Sequence, residues 1–74
     1  MTKLEAGQVW IGIIRYRFNP RSTRREIART SQGPRALLLH FVAQSRLNCC
    51  YERTFRAWIS RTAATLQETN HEER

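Results

Sequence analysis

The sequence has no aspartate and only one lysine, and these absences limit the chemistry that it can support. Six glutamates are its only carboxylate side chains, and none has the spacing of a paired general acid and base. The serines lack the setting of a nucleophile elbow, and the three glycines do not form a phosphate-binding loop. The sequence therefore predicts a non-catalytic protein rather than an enzyme.

Metal ligands and long apolar runs are also scarce. Cys49 and Cys50 are adjacent, whereas a structural zinc site typically needs cysteine pairs separated by two to four residues. The longest strictly apolar run covers residues 36–39, and the N-terminus has no apolar region of a signal peptide. We expect no metal, no cofactor and no membrane segment, and a cytoplasmic protein with reduced thiols.

Arginine is the residue in excess. Between residues 15 and 61, eleven arginines face two glutamates, which is a local charge balance of +9. The sign reverses in residues 68–74, where three glutamates occur. A pI near 11.1 favours an anionic partner, either nucleic acid (DNA or RNA) or an acidic protein surface. A solvated basic surface without a partner is the alternative explanation.

Residues 8–18 have the β-branched and aromatic composition of a strand. Alternation divides them between two faces, Trp10, Ile14, Tyr16 and Phe18 against Val9, Ile11, Ile13, Arg15 and Arg17. Gly12 in the middle predicts a bend or the close approach of another element. The dipeptide Asn19-Pro20 is a turn signal, so residues 19–24 are expected to form a basic loop.

The middle of the chain leaves alternatives open. Residues 25–30 fit a short strand, although Thr23 and Glu26 have the spacing of a helix capping box. Residues 36–43 fit a buried strand or a helix, because periodicity alone does not distinguish them. We favour the strand, since residues 47–51 have β-type composition and can pair with it through a turn near Ser45-Arg46.

Residues 54–66 have the period of an amphipathic helix. The apolar positions recur at helical spacing, and they are Phe55, Trp58, Ile59, Ala63 and Leu66. Thr54 is a candidate N-cap. Residues 63–66 either continue the helix or form a short closing strand.

These elements predict an α+β fold, a small curved antiparallel sheet of three to five strands covered by one C-terminal helix. The helix contributes Phe55, Trp58, Ile59 and Leu66. The sheet contributes Trp10, Ile14, Ile27, Leu37, Leu39 and Phe41. His40, within an apolar run, is expected to be structural. Residues 1–67 form the single domain, and residues 68–74 form a disordered acidic tail.

Three short motifs follow one another along the chain. They are Gly7-Gln8-Val9-Trp10, Arg25-Glu26-Ile27 and Thr54-Phe55-Arg56-Ala57-Trp58-Ile59. In this arrangement the chain resembles small uncharacterised proteins of phages, plasmids and actinobacterial-type genomes. The resemblance covers residues 7–66. It implies a strongly curved sheet, SH3-like or barrel-like, with one helix packed on it, and it implies no activity. The basic segment 19–24 departs from the pattern.

The candidate binding surface consists of six arginines: Arg15, Arg17, Arg21, Arg24, Arg25 and Arg56. Guanidinium groups bind phosphate oxygens in pairs of hydrogen bonds, so we expect a nucleic-acid-binding accessory protein. A module that modulates a host protein through the same basic surface is the first alternative, and a homodimer can form through an open sheet edge. A helix-turn-helix protein is the second alternative, and it requires a helix at residues 36–45.

Overall fold

A computed structural model describes residues 2–16 and 19–69 as a five-stranded antiparallel sheet with one helix. The elements in chain order are β1 Gln8–Tyr16, β2 Asn19–Gln32, β3 Leu37–Ala43, β4 Arg46–Tyr51, α1 Glu52–Thr62 and β5 Thr65–Thr69. The strands are arranged in the order β4-β3-β2-β1-β5. The predicted α+β class, with one helix near the C-terminus packed on an antiparallel sheet, is therefore confirmed.

The sheet is open and not strongly curled, so the prediction of an SH3-like or barrel-like sheet is wrong. Closure would require the edge strands β4 and β5 to pair, and no such pair occurs among the described residues. β5 pairs with β1. The end of α1 explains this placement, because Gly12 of β1 lies directly beneath Thr62. The chain leaves the helix beside β1, and a short strand can pair there at once.

The hairpin of β1 and β2 replaces the predicted basic loop. Tyr16 pairs with Asn19, and Arg15 pairs with Pro20, so residues 19–24 are strand and the loop prediction is wrong. The helical alternative for residues 25–30 is also wrong, since they lie within the same strand. Pairing with β1 along eight residues outweighs the turn signal of Asn19-Pro20. Phe18 lies outside the described residues.

β2 pairs with its two neighbours through different halves. Residues 19–26 pair with β1, and the described pairs with β3 run from Glu26 to Gln32. A bulge between Ile27 and Arg29 interrupts the pairing with β3. β3 is therefore displaced along β2 relative to β1, and we call this displacement the step in the sheet. Because of it, the β3–β4 hairpin ends beside the first half of β2.

The core lies between α1 and one face of the sheet. Its buried apolar residues are Leu4, Trp10, Ile27, Leu39, Phe41, Phe55 and Trp58. Burying each large side chain contributes about 1.5–3 kcal/mol. The predicted core is largely confirmed, with Leu37, Ile14 and Ile59 only half-buried. Leu66 was assigned wrongly, because it lies in β5 and is 37% exposed.

α1 begins and ends earlier than predicted. It begins at Glu52 after the extended residue Tyr51, so the prediction that Thr54 is the N-cap is wrong. It ends because Ala63 adopts a left-handed conformation with φ of 51°. The Ala64 N–H then donates to the Ile59 carbonyl at 2.9 Å, and the Ala63 N–H donates to the Ser60 carbonyl at 3.4 Å. This pattern is a Schellman motif, which turns the chain back toward the sheet.

Gly12 permits the close packing of α1 on the sheet. A Cβ atom at this position would overlap Thr62 Oγ1 and lie 2.6 Å from Thr62 Cβ. The predicted close approach at Gly12 is therefore confirmed. In the described part of the chain, no helix is long and apolar enough to cross a membrane. Of the predicted acidic tail, only Glu68 and Thr69 fall among the described residues, at the end of β5.

Candidate anion-binding surface

Strand alternation separates the predicted arginines of β2 between the two faces of the sheet. Arg25 pairs with Trp10 and shares its face, which α1 covers, and Arg21 shares that face. Arg24 pairs with Ile11 on the opposite face, the one without the helix. The three arginines therefore do not share one face of the sheet.

Two of the predicted arginines have intramolecular partners. Arg24 forms an exposed ion pair with Glu26 at 3.3 Å. Arg56 donates from Nε and Nη2 to Glu52 Oε2 at 2.9 and 2.8 Å, and from Nη2 to the Thr2 carbonyl at 3.0 Å. Arg56 thus links the N-terminal segment to α1 through its Nε and Nη2 donors. Arg17 lies outside the described residues.

Arg25 lies among three aromatic rings. Its guanidinium carbon is 4.5 Å from the centroids of Phe41 and Trp58, and 5.6 Å from that of Phe55. These contacts favour the cation and restrict its orientation. Burial lowers the pKa of Arg25; Cys50 acts in the opposite direction, and the positive charge of Arg61 lowers it further. Arg25 is therefore a partly desolvated cation with a second cation nearby.

A pocket of about 380 Å³ opens beside this guanidinium. We name it the arginine pocket after Arg25, Arg46 and Arg61, which line it. The remaining lining residues are Ile14, Thr23, Phe41, Ala43, Gln44, Asn48 and Trp58. None of these described lining residues is acidic, and the polar ones supply hydroxyl and amide groups. The arrangement suits an anion.

The step in the sheet builds the arginine pocket. The β3–β4 hairpin turns through Gln44 and Ser45, whose φ angles are 53° and 62°. Arg46 follows at the start of β4, and its carbonyl accepts a hydrogen bond from Asn48 Nδ2 at 3.0 Å. This places the turn beside the first half of β2, opposite Arg61. The predicted turn near Ser45-Arg46 is confirmed, one residue earlier.

A second pocket, of about 440 Å³, adjoins the first one. Ile13, Ile14, Arg15, Arg61, Thr62 and Ala63 line it. We name it the apolar pocket, since isoleucine and alanine side chains form much of its wall. It shares Ile14 and Arg61 with the arginine pocket, so the two sites form one surface that also includes Arg15.

Sequence reasoning missed Arg46 and Arg61 as members of this surface. Arg61 lies in the last turn of α1. Its position three residues after Trp58 was the available signal, because residues three apart on a helix are neighbours. No local sequence pattern indicated the position of Arg46, since that position depends on the step between β1 and β3. Of the five predicted arginines that the structure describes, Arg15 and Arg25 line either pocket.

The other chemically active side chains are His40, Cys49 and Cys50 of β3 and β4. His40 Nε2 and Ser31 Oγ are hydrogen-bonded at 2.9 Å, which fits the structural role expected of His40. Cys49 is exposed, and Cys50 packs against the core, as expected for adjacent residues on opposite faces. Among the residues described, no cluster of three or more His, Cys, Asp or Glu side chains is placed to hold a metal ion.

Comparisons with protein families, curated protein sequences and solved structures find no match to this chain. The resemblance to phage- and plasmid-type proteins stays a prediction.

Proposed function

We propose that this protein is a small non-catalytic nucleic-acid-binding accessory protein, encoded by a phage or plasmid. It contacts phosphate groups through Arg15, Arg25, Arg46 and Arg61. The observation that supports the proposal is the pair of adjoining pockets that these four arginines line.

The chemistry of the two pockets matches that of a nucleic-acid strand. Arginine forks bind phosphate oxygens, and the arginine pocket supplies three of them. The apolar pocket supplies side chains that can cover a sugar or the face of a base. Such contacts tolerate many sequences, because most of the affinity comes from phosphate groups.

The helix-turn-helix alternative does not apply to the described residues. It requires a helix at residues 36–45, but residues 37–43 form β3. α1 is the single helix in the part of the chain that the structure describes, and Phe55 and Trp58 on it are core residues.

Fluorescence anisotropy with labelled single-stranded DNA, duplex DNA and RNA tests the proposal. We expect binding that weakens steeply as salt rises from about 50 to 200 mM, because counterions are released on binding. The double variant Arg46→Gln, Arg61→Gln should weaken binding about tenfold or more. The matched control is Arg29→Gln, Arg53→Gln, which removes the same charge at exposed residues that line neither pocket.

Two outcomes would contradict the proposed function. One is the absence of binding at low salt. The other is an equal loss of affinity in the control variant, which would assign the binding to net charge rather than to this surface.

A protein-interaction module that modulates a host protein is the second candidate function. Leu47 is 62% exposed and Tyr51 is 37% exposed, both on the edge strand β4, and Ile13 is 46% exposed. A partner with an acidic rim and an apolar centre would match these residues together with Arg15. Pull-down from host lysate after nuclease treatment tests this candidate, with Leu47→Glu as the variant that should abolish capture. Sizing chromatography tests the homodimer through the β4 edge.

A further inference from the structure

We infer that the arginine pocket binds a terminal phosphate, the phosphate monoester at the end of a nucleic-acid strand or on a free nucleotide. This inference rests on the proposed function and names the group that the site takes. Both ligands present the same group, a phosphate with about two negative charges and three oxygens that accept hydrogen bonds.

The number of cations favours a monoester. Each diester of a strand carries one negative charge, whereas a phosphate monoester carries about −1.5 to −2 near neutral pH. Arg25, Arg46 and Arg61 line one pocket, and none of the described lining residues is acidic. Three guanidinium groups around one cavity suit a single multivalent anion. Single charges spaced along a strand would instead favour a row of arginines.

Arg25 provides the fixed floor of the site. Its contacts with the rings of Phe41 and Trp58 hold the guanidinium in one orientation before any ligand arrives. A pre-ordered donor loses less side-chain entropy on binding than a free arginine does. Among the side chains that the structure describes, none forms an ion pair with Arg25, so its hydrogen-bond donors stay available to an anion. An anion would also relieve its repulsion with Arg61.

Arg46 and Arg61 provide the rim. Both are exposed, and they approach the pocket from different elements, the start of β4 and the last turn of α1. A phosphate between them would bridge the hairpin and the helix. At about 380 Å³ the cavity falls within the range of about 300–1,000 Å³ for small-ligand sites, so it has room for part of the nucleoside as well.

The adjoining apolar pocket determines the direction in which a nucleic-acid strand would run from its bound terminal phosphate. It shares Ile14 and Arg61 with the arginine pocket. With the terminal phosphate between Arg25 and Arg61, the next sugar and base would lie against Ile13 and Ile14. The following phosphate would then lie near Arg15.

The test compares oligonucleotides of one sequence with a 5′-phosphate, a 3′-phosphate or only hydroxyl ends, measured by competition anisotropy against a labelled strand. We expect at least one phosphorylated end to bind about tenfold more tightly than the hydroxyl form. Arg61→Gln should remove this preference, while Arg53→Gln, an exposed arginine on the same helix, should keep it. Equal affinity of all three oligonucleotides would overturn the inference and leave the proposed function standing.

A second measurement separates a strand end from a free nucleotide. Thermal unfolding is followed with a nucleoside monophosphate, with the corresponding nucleoside, and with chloride at equal ionic strength. Because a ligand that binds only the folded state raises its stability, the monophosphate alone should raise Tm, and Arg61→Gln should abolish the rise. A rise in Tm without any binding of oligonucleotides would support the pocket while contradicting the proposed function. No rise, together with equal oligonucleotide affinities, would overturn the inference.

Discussion

The side-chain oxygen of Gln8 accepts a hydrogen bond from the indole nitrogen of Trp10 at 3.1 Å. The same oxygen accepts a hydrogen bond from the backbone N–H of Glu5 at 3.2 Å. The side-chain nitrogen Nε2 of Gln8 donates to the Lys3 carbonyl at 2.9 Å. Gly7 precedes it with φ of 93°, a conformation that glycine adopts without strain. The motif Gly7-Gln8-Val9-Trp10 therefore fixes the N-terminal segment through the hydrogen bonds of Gln8.

Replacement of Gln8 by alanine should destabilise the fold by about 1–3 kcal/mol, because Trp10 and the Glu5 amide lose a buried acceptor. Urea unfolding followed by tryptophan fluorescence measures this loss. Gln67→Ala is the control, since Gln67 is exposed and bonds only to Thr65 at the surface. Its effect should stay within about 0.5 kcal/mol. Equal stabilities of the two variants would show that the Gln8 hydrogen bonds do not support the fold.

Gly12→Ala should destabilise the protein by about 1–3 kcal/mol, because the added methyl group displaces the end of α1. The double variant with Thr62→Ala should recover part of the loss, since the overlapping hydroxyl group is removed. Denaturant unfolding of the two single variants and the double variant gives the coupling energy, expected at about 0.5 kcal/mol or more. Strict additivity would contradict the direct contact.

Ala63→Gly should stabilise the protein by about 0.5–1 kcal/mol. Ala63 has a left-handed backbone, which is strained for alanine and free of strain for glycine. The matched control is Ala57→Gly, an exposed position within α1, where glycine should cost about 1 kcal/mol. The stability measured by thermal and urea unfolding should therefore rise in Ala63→Gly and fall in Ala57→Gly. A change in the same direction for both variants would contradict the assigned helix end.

The two thiols should react at different rates. Cys49 is exposed, whereas burial raises the pKa of Cys50, with Arg25 acting in the opposite direction. A chromogenic disulfide reagent at mildly alkaline pH should therefore label Cys50→Ser quickly and Cys49→Ser slowly. Since the folded state holds the Cys50 proton more tightly, the contribution of this thiol to stability is present at neutral pH. That contribution declines as pH rises through the thiol range, and Cys50→Ser should remove the decline. Equal labelling rates would contradict the difference in burial.

The strands β1, β3 and β4 and most core residues followed from local patterns, which is why they could be predicted. Trp10, Ile27, Leu39 and Phe41 were expected in the core because alternation and composition reflect burial directly. The hairpin of β3 and β4 followed from two β-type runs around a short turn. The buried residue Leu4 was missed, because its burial depends on the hydrogen bonds of Gln8.

The arrangement of the site depends on long-range pairing, and the sequence contains little local trace of it. The assignment of residues 19–24 to a loop placed Arg21 and Arg24 together, whereas a strand sends successive residues to opposite faces. The bulge near Ala28 and the step between β1 and β3 decide which arginines share a pocket. Arg46 and Arg61, 15 residues apart in the chain, line one pocket for that reason, and no periodicity predicts this.

The stepped pairing of β2 also has a consequence for the exchange of its amide protons with water. Residues 19–25 have described pairs only with β1, so every second N–H along them points to the side where β3 pairing has not yet begun. In deuterated solvent these amides should exchange quickly and alternate with slow ones, and residues 29–32, whose described pairs are only with β3, should alternate in the same way. The fast amides near Thr23 border the arginine pocket, and a bound phosphate would slow their exchange. This exchange pattern would report occupation of the pocket by an unlabelled ligand.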